Sequence, residues 1–483
     1  MTDISAAHYD VIIVGLGPTG GMLANLLGMQ GVRTLVLERE ANMYDLPRAV
    51  HFDDEIMRAF QTIGIAHRLN EKVIVNKGMR FCDYDDNLLL DWPRKQSLTS
   101  NGWHASYRFH QPDLEQEIRQ ALLHRPSVQF ALSSRVSNIG QSNDRASVTY
   151  QDVESNSHTV TSRYVVGCDG GSSFVREHLN IPMEILGFEQ RWLVVDMLLN
   201  DEKPELGDHT IQYCDPENPA TYCRNAGLRR RWEFALRDDQ SDGDMTQDAT
   251  IWQLLSRWIN SSEARIERRA VYTFRSCVAE RWRAGRILLA GDAAHLTPPF
   301  MGQGMCAGMR DVMNLAWKLA AVCNGTQTSD LLDTYQSERG ENVKHYIQTA
   351  VKLGELINRI AAAPHAEKTA RMESIISTLG PGLGETHDPL RGTPFPQFRL
   401  SSGTRSDDYL GYRTTLFCRD RPVSASHEFE TLSATNEPAL GAVLDQLGVA
   451  EVIVRPDRYI LSSSTKIRSI TDADQASQHA DPH

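Results

Sequence analysis

The chain runs to 483 residues, 41% of them hydrophobic and 23% charged, an ordinary soluble composition with length enough for two or three domains. Its formal net charge of −12, without a long basic run, excludes nucleic acid as an expected partner. The eight cysteines (Cys82, Cys168, Cys214, Cys223, Cys277, Cys306, Cys323 and Cys418) form no CxxC pair and accompany no histidine cluster at ligand spacing; this excludes a disulfide framework and a metal centre, and fits a reducing cytoplasm.

The N-terminus, "MTDISAAHYD", lacks the basic start and apolar core of a signal peptide. The run "VIIVGLGPTGGMLANLL" is apolar but broken by four glycines and a proline, so no membrane span is expected. Residues 9–14, "YDVIIV", read as a strand buried on both faces. Gly15, Gly17 and Gly20 follow at GxGxxG spacing, with Pro18 and Thr19 between them, and a helical pattern continues through Gly28. Gly15 permits a tight turn, Gly17 lets backbone approach a pyrophosphate, and Gly20 lets helix and strand pack closely. A second strand, "TLVLE", ends at Glu38, 18 residues after Gly20 and next to Arg39. An acid at that separation accepts hydrogen bonds from an adenosine ribose, which FAD and NAD both carry.

Further along, "PRAVHFDDE" holds Arg48 and His51, and "RFHQPDLEQEI" holds Gln111. The segment "RYVVGCDGGSSFVREHL" sets Asp169 and Gly170 after a strand-like run, with Ser173 and Arg176 at DGxxSxVR spacing. "RWLVVDMLLN", "HTIQYCD" and "RRRWEFALR" are strand-like runs separated by turn residues, which predicts an antiparallel sheet. "GRILLAGDAAHLTPP" repeats the strand-then-acid logic at Gly291-Asp292. An acid at a strand's C-terminal end points into the crevice where α/β sheets bind ligands. The Pro298-Pro299 pair and "MGQGM" then lead into an apolar helical pattern, and no second GxGxxG unit with its acid occurs.

With these three ordered motifs the chain, over about residues 8–350, resembles the flavoprotein aromatic hydroxylases. These are the single-component FAD monooxygenases of the para-hydroxybenzoate and phenol hydroxylase family, and the likeness is greatest to their 3-(3-hydroxyphenyl)propionate hydroxylase branch. The resemblance implies FAD as cofactor, NADH or NADPH as a transient co-substrate, and O₂ with a small phenolic compound as substrates. One oxygen atom would enter the ring through a flavin C4a-hydroperoxide. It assigns Gly15, Gly17, Pro18, Thr19, Gly20, Glu38 and Arg39 to the ADP half of FAD, and Asp292 to the ribityl chain. Arg48, Gln111, Asp169 and Gly170 would contact or handle FAD. Pro298 and Pro299 would wall the isoalloxazine, and Gly302, Gly304 and Met305 would present backbone N–H groups to its N1–C2=O edge, which becomes anionic on reduction.

The fold class expected is α/β with α+β character. A Rossmann-like FAD domain with a parallel sheet is assembled from residues 1–75, 106–180 and 276–385. An interleaved antiparallel substrate domain takes 76–105 and 181–275. Residues 386–483 follow a boundary rich in Pro, Gly and Ser; they are too few for the full thioredoxin-like domain of larger relatives, so a trimmed remnant serving packing or a homodimer is expected, with a disordered tail. Hydroxylation needs a polar group to stabilise the phenolate. Tyr272 in "AVYTFRS" is the first candidate and His51 the second, while Arg224 and Arg229-Arg230-Arg231 are candidates for a substrate carboxylate. A phenolic acid of the hydroxyphenylpropionate type is the expected substrate. Alternatives are a resorcinol, a hydroxypyridine or a polyketide ring, or an FAD-dependent dehydrogenase or oxidase.

Overall fold

The computed structural model describes residues 8–43, 48–215, 217–362, 379–380, 387–420 and 429–465. The tail expected to be disordered lies outside the described residues. The chain opens with β1 (His8–Val14), α1 (Pro18–Met29) and β2 (Thr34–Leu37). There follow β3 (His51–Asp53), α2 (Asp54–Thr62), α3 (Ala66–Asn70), β4 (Ile74–Val75), β5 (Gly78–Cys82), β6 (Leu88–Pro93), β7 (Ser106–Arg108) and α4 (Gln111–Leu122). Next come β8 (Val128–Ala131), β9 (Arg135–Gln141), β10 (Ala146–Gln151), β11 (Ser157–Gly167) and α5 (Phe174–His178). A long excursion holds β12 (Met183–Leu199), β13 (Thr210–Tyr213), β14 (Ala220–Arg224), β15 (Arg229–Ala235), α6 (Asp242–Met245), α7 (Asp248–Leu255) and β16 (Ala264–Ala279). The chain returns through β17 (Arg283–Ala284), β18 (Ile287–Leu289), β19 (His295–Leu296), α8 (Gly304–Cys323) and α9 (Thr334–Ala362). It closes with α10 (Ser406–Leu410), β20 (Thr415–Cys418), β21 (Glu430–Ser433), α11 (Pro438–Leu447), β22 (Glu451–Val454) and β23 (Ile460–Ser464).

The first sheet has the order β17-β18-β11-β1-β2-β8, with the ribbon β9–β10 laid against β11. Its centre is parallel: β1 pairs with β2 and β11, and β11 with β18. Val11, Ile12 and Ile13 are fully buried, in one core with residues of α1, α8 and the β9–β10 ribbon. That double burial is why β1 reads as an uninterrupted apolar run rather than an alternating one.

The second sheet has the order β19-β16-β12-β15-β14-β13-β5-β6. Here alternation rules. Leu193, Val195, Met197 and Leu199 point to one side with Trp232 and Phe234, packing under Ile251 and Leu255 of α7. Each such buried side chain contributes about 1.5–3 kcal/mol. Trp192, Val194 and Asp196, one residue out of phase, face the first sheet's domain.

This sheet differs from the expectation in two ways. The pairing of β5 with β13 is parallel, because β5 arrives from the FAD domain and not through a hairpin. The expected boundary at 275/276 also cuts through β16, which runs to Ala279 and pairs with β19 from the returning segment. Substrate sheet and Gly-Asp turn are therefore joined directly by backbone hydrogen bonds.

The C-terminal region packs its own core, including Phe395, Phe417, Leu440, Leu444 and Val452, on the sheet β21-β20-β22-β23. It is fastened to the FAD domain by buried ion pairs. Arg58 binds Asp407 through two hydrogen bonds of 2.6 and 2.9 Å, and Arg455 binds Glu338 at 2.7 Å. Removing one partner of such a pair typically costs about 3–5 kcal/mol, since the other is left charged and buried.

Candidate active site

The three motifs meet at one point, and glycine is what lets them. A Cβ on Gly15 would stand 2.5 Å from the Cys168 carbonyl oxygen, and one on Gly20 would stand 2.0 Å from the Gly15 oxygen. Gly15 also needs its positive φ of 102° for the turn. Gly291 of the Gly-Asp turn and Gly308 of α8 both close on the Thr19 hydroxyl, at 2.8 and 2.6 Å from where their Cβ atoms would be. Arg176 of the DGxxSxVR motif donates to the Ala293 carbonyl at 3.2 Å, tying the second motif to the third. Asp169 accepts from the Ser173 hydroxyl at 2.6 Å and from the Val175 N–H at 3.1 Å, so it braces the start of α5. Gly170, with φ 84°, has open space above it.

Around this junction the residues fit FAD. Space beside Gly17 is empty to 4 Å, at the N-terminus of α1 where a pyrophosphate meets N–H groups and the helix dipole. Glu38 is fixed at the end of β2 by accepting from the Leu16 N–H at 2.7 Å and the Glu40 N–H at 2.9 Å, which leaves further lone pairs for ribose hydroxyls. Arg39 instead is exposed and pairs with Glu40 at 3.0 Å, away from the crevice. Gln111 accepts from the backbone N–H groups of Arg48 and Ala49 at 3.1 and 2.6 Å and donates to Glu115 at 2.6 Å. Its side chain is thereby committed to positioning Arg48, whose guanidinium is half exposed and 3.8 Å from Glu115.

Asp292 has no hydrogen-bond partner among the described residues. It is open to solvent, while the protein packed around it pushes its carboxyl above the usual range, against the opposing pull of His295 and Arg48. An acid displayed in this way is suited to a ribityl hydroxyl. A residue not singled out from the sequence holds it there. Asp311, fully buried on α8, accepts from the Gly291 N–H at 3.1 Å, from His295 at 2.6 Å and from Arg339 at 3.1 Å. Burial opposes its charge, but His295 and Arg339 outweigh burial and keep its carboxyl below the usual range.

Beyond Pro298, residues Pro299–Met301 make a tight turn, and Gly302 takes a left-handed conformation with φ 62°. A Cβ there would press within 2.9 Å of His51. Helix α8 starts at Gly304, which faces open space, and Met305 is half-buried beside it. His51 is buried, with Nε2 at 2.8 Å from the Ser106 hydroxyl and Nδ1 at 3.3 Å from the Gly302 carbonyl. Since a carbonyl only accepts, Nδ1 carries the proton and Nε2 accepts from Ser106, which itself accepts from Asn76 at 2.9 Å. Burial first, then Arg108, push the His51 pKa down to about 3, so the ring is neutral at physiological pH.

The substrate sheet's inner face covers this loop. Asp196 bonds Arg231 at 2.7 and 3.1 Å and Arg268 at 3.2 Å, and Arg231 also donates to the Arg48 carbonyl at 2.7 Å. Next to them lie Glu233, Thr221 and Gln212, in successive register across β15, β14 and β13. Glu233 is pushed up by burial, against the pull of Arg231. Tyr272 stands opposite Trp192 on β12, whose ring meets Phe300 of the loop at 5.8 Å. The Tyr272 ring stacks on Phe274 at 6.0 Å with the Arg268 guanidinium 5.0 Å away, and its hydroxyl has no partner among the described residues. The structure thus brings His51, Gly302 and Gly304 together, while Tyr272 lies four strands from β13.

The four arginines considered for a carboxylate are already engaged by protein acids. Arg224 pairs with Asp208 at 3.2 Å, Arg229 with Glu267 at 3.2 Å, Arg230 with Glu202 at 3.0 Å and Arg231 with Asp196. Among the described residues no group of His, Cys, Asp or Glu is placed to hold a metal, and no helix is long and apolar enough to cross a membrane.

Residues 8–350 match the family model described as FAD binding domain. The chain is 40% identical over 364 residues to a probable NADH-specific resorcinol 4-hydroxylase of Rhodococcus jostii (strain RHA1), covering 75% of this chain and 68% of that protein. It is 36% identical to a 3-(3-hydroxy-phenyl)propionate/3-hydroxycinnamic acid hydroxylase of Burkholderia vietnamiensis (strain G4 / LMG 22486), covering 95% of this chain and 94% of the relative. A ternary complex of aklavinone-11 hydroxylase with FAD and aklavinone shares the fold, with a TM-score of 0.81 over 99% of both chains at 20% identity.

Proposed function

This chain belongs to the FAD-dependent aromatic hydroxylases, a family of monooxygenases, and from that premise we propose that its substrate is a phenolic acid of the hydroxyphenylpropionate type. One observation carries the substrate class: the inner face of the substrate sheet has more buried cation than anion. Three buried guanidiniums, Arg108, Arg231 and Arg268, lie around two carboxylates, Asp196 and Glu233. Such a surface favours an anionic guest. Membership of the hydroxylases removes the dehydrogenase and oxidase alternatives.

FAD held in the crevice, with NAD(P)H and O₂ as co-substrates, would supply the electrophilic oxygen. The protein's part is placement and charge. The substrate ring lies between the Pro298–Met301 turn and the inner sheet face, with Trp192 and Phe300 excluding water. The arginines lower the cost of ionising the phenol, which raises electron density in the ring. Tyr272, four strands from β13, offers its free hydroxyl only to a phenol bound at the β12–β16 end of the sheet. His51, neutral and held between Ser106 and the Gly302 carbonyl, positions the turn before α8 and does not serve as a strong base.

A resorcinol is the second reading, favoured by the 40% identity to the Rhodococcus relative. Purified holoenzyme assayed for NADH and NADPH oxidation and for hydroxylated product separates the two. The proposal expects 3-(3-hydroxyphenyl)propionate to stimulate coupled turnover more than resorcinol; coupled turnover with resorcinol alone would replace it. The sheet order β21-β20-β22-β23, with β20 and β21 parallel and the other pairs antiparallel, supports reading the C-terminal region as a thioredoxin-like remnant, retained for packing.

A further inference from the structure

Arg108 closes β7 and is 9% exposed. Every other arginine buried to that degree among the described residues has a carboxylate within ion-pair range: Asp407 serves Arg58 and Arg458, Asp196 serves Arg231 and Arg268, and the rest have their own. Arg108 has none. Its guanidinium donates to the Thr210 hydroxyl, and its Nε is buried without a partner. A guanidinium cannot shed its charge, and holding one in the interior uncompensated is expensive. The arrangement makes physical sense when the missing anion is a ligand.

Its position says which ligand. Arg108 is the cross-strand partner of His51 on β3, and His51 packs on Gly302 of the turn before α8. Thr210 belongs to β13, on the same inner face as Gln212 and Thr221. Arg108 therefore bridges the FAD domain and the substrate sheet at the substrate's side of the cleft. Glu233, an acid on that face that feels the Arg108 charge, pairs with Arg231 at 3.6 Å and stays outside ion-pair range of Arg108.

We propose that Arg108, oriented by Thr210, grips the carboxylate of the substrate and sets the enzyme's preference for phenolic acids over neutral phenols. The planar fork of N–H donors matches a carboxylate's two oxygens. This rests on the phenolic-acid reading above, and the experiment keeps the two apart. Holoenzyme is titrated with 3-phenylpropionate and with its neutral isostere 3-phenylpropanol, following perturbation of the bound flavin's absorbance. The ratio of the two dissociation constants is compared in wild type, Arg108→Met and Arg108→Lys, with FAD content confirming that each variant is folded. The expected result is a wild-type preference for the anion that falls about a hundredfold in Arg108→Met and is partly kept in Arg108→Lys. A merely structural role would weaken both ligands alike and leave the ratio unmoved, which overturns the assignment. If wild type shows no preference for the anion and hydroxylates no phenolic acid, the phenolic-acid reading fails and takes Arg108 with it. If wild type hydroxylates 3-(3-hydroxyphenyl)propionate but the ratio survives Arg108→Met, Arg108 alone is wrong.

Discussion

The dinucleotide crevice and the substrate sheet make their sites by opposite means. In the crevice the decisive residues are those that lack side chains. Gly15, Gly20, Gly291 and Gly308 let three backbone segments close on one another, and Gly17 and Gly304 leave space for a ligand. On the sheet the decisive residues are long and charged, and what they do depends on partners elsewhere in the chain. A site built from bare backbone tolerates almost no substitution but serves any ligand with a pyrophosphate. A site built from charged side chains can be retuned one residue at a time.

The comparison is most exposed at Gly20. A Cβ there would meet the Gly15 carbonyl oxygen at 2.0 Å, with Cys168 Cβ next at 3.3 Å. The Gly15 backbone cannot yield without moving α1 off β1, so Gly20→Val is expected to abolish FAD binding. The check is absorbance near 450 nm after purification and attempted reconstitution, with circular dichroism to confirm a folded chain. A yellow, stoichiometric Gly20→Val protein would mean the crevice is not closed by backbone contact.

Where the two regions meet, His51 supplies the second test. Its folded pKa is about 3 against an ordinary 6.5. Between those values the unfolded chain binds a proton that the folded chain refuses, so stability rises with pH across the window and is lost on acidification. The penalty is fully present below pH 3, absent above 6.5, and on the order of a few kcal/mol at its largest. His51→Asn should flatten this slope in urea titrations between pH 4 and 7. A slope equal to wild type would show that His51 is not buried in neutral form.

Asp292→Ala tests the polar side of the crevice and should cost less. It removes a charge-assisted hydrogen bond worth about 1.5–3 kcal/mol, a roughly ten- to hundredfold loss of FAD affinity. Flavin fluorescence titration of the apoprotein measures it, and an unchanged dissociation constant removes Asp292 from the site.

The same contrast governs what could be read from the sequence. The strands and the glycine turn are legible because backbone geometry dictates residue type at fixed spacing, and the same spacing makes Glu38 and Asp292 candidates. Arg108 was not. In "SYRFHQ" it looks like any strand arginine, and the hydroxyl it donates to, Thr210, comes 102 residues later. Asp311 reads as the polar face of a helix until His295 and Arg339 arrive from both sides in sequence. Arg39 and Gln111 stand at motif positions, yet one is turned outward and the other bonds backbone. A motif specifies a path for the main chain. It does not specify which partners a side chain will find.

The smallest effect is expected at Tyr272, and its size separates two views of how the sheet supports the phenolate. If the hydroxyl were the principal stabiliser of the developing charge, Tyr272→Phe would cripple ring hydroxylation. The inner face instead carries Arg231 and Arg268 around Asp196, with the Arg268 guanidinium 5.0 Å from the tyrosine ring centre. A phenolate there is supported mainly by fixed charge, which the substitution leaves in place, and the ring still stacks on Phe274. What is lost is one hydrogen bond, worth about 0.5–1.5 kcal/mol, or roughly two- to tenfold in the rate of product formation. FAD content should be unaffected, and the share of NAD(P)H consumed without product should rise modestly. Measuring product formed per NAD(P)H oxidised in Tyr272→Phe decides between the views. A drop of a hundredfold or more would make Tyr272 the chief partner of the phenol, and the sheet's charges would then be framework.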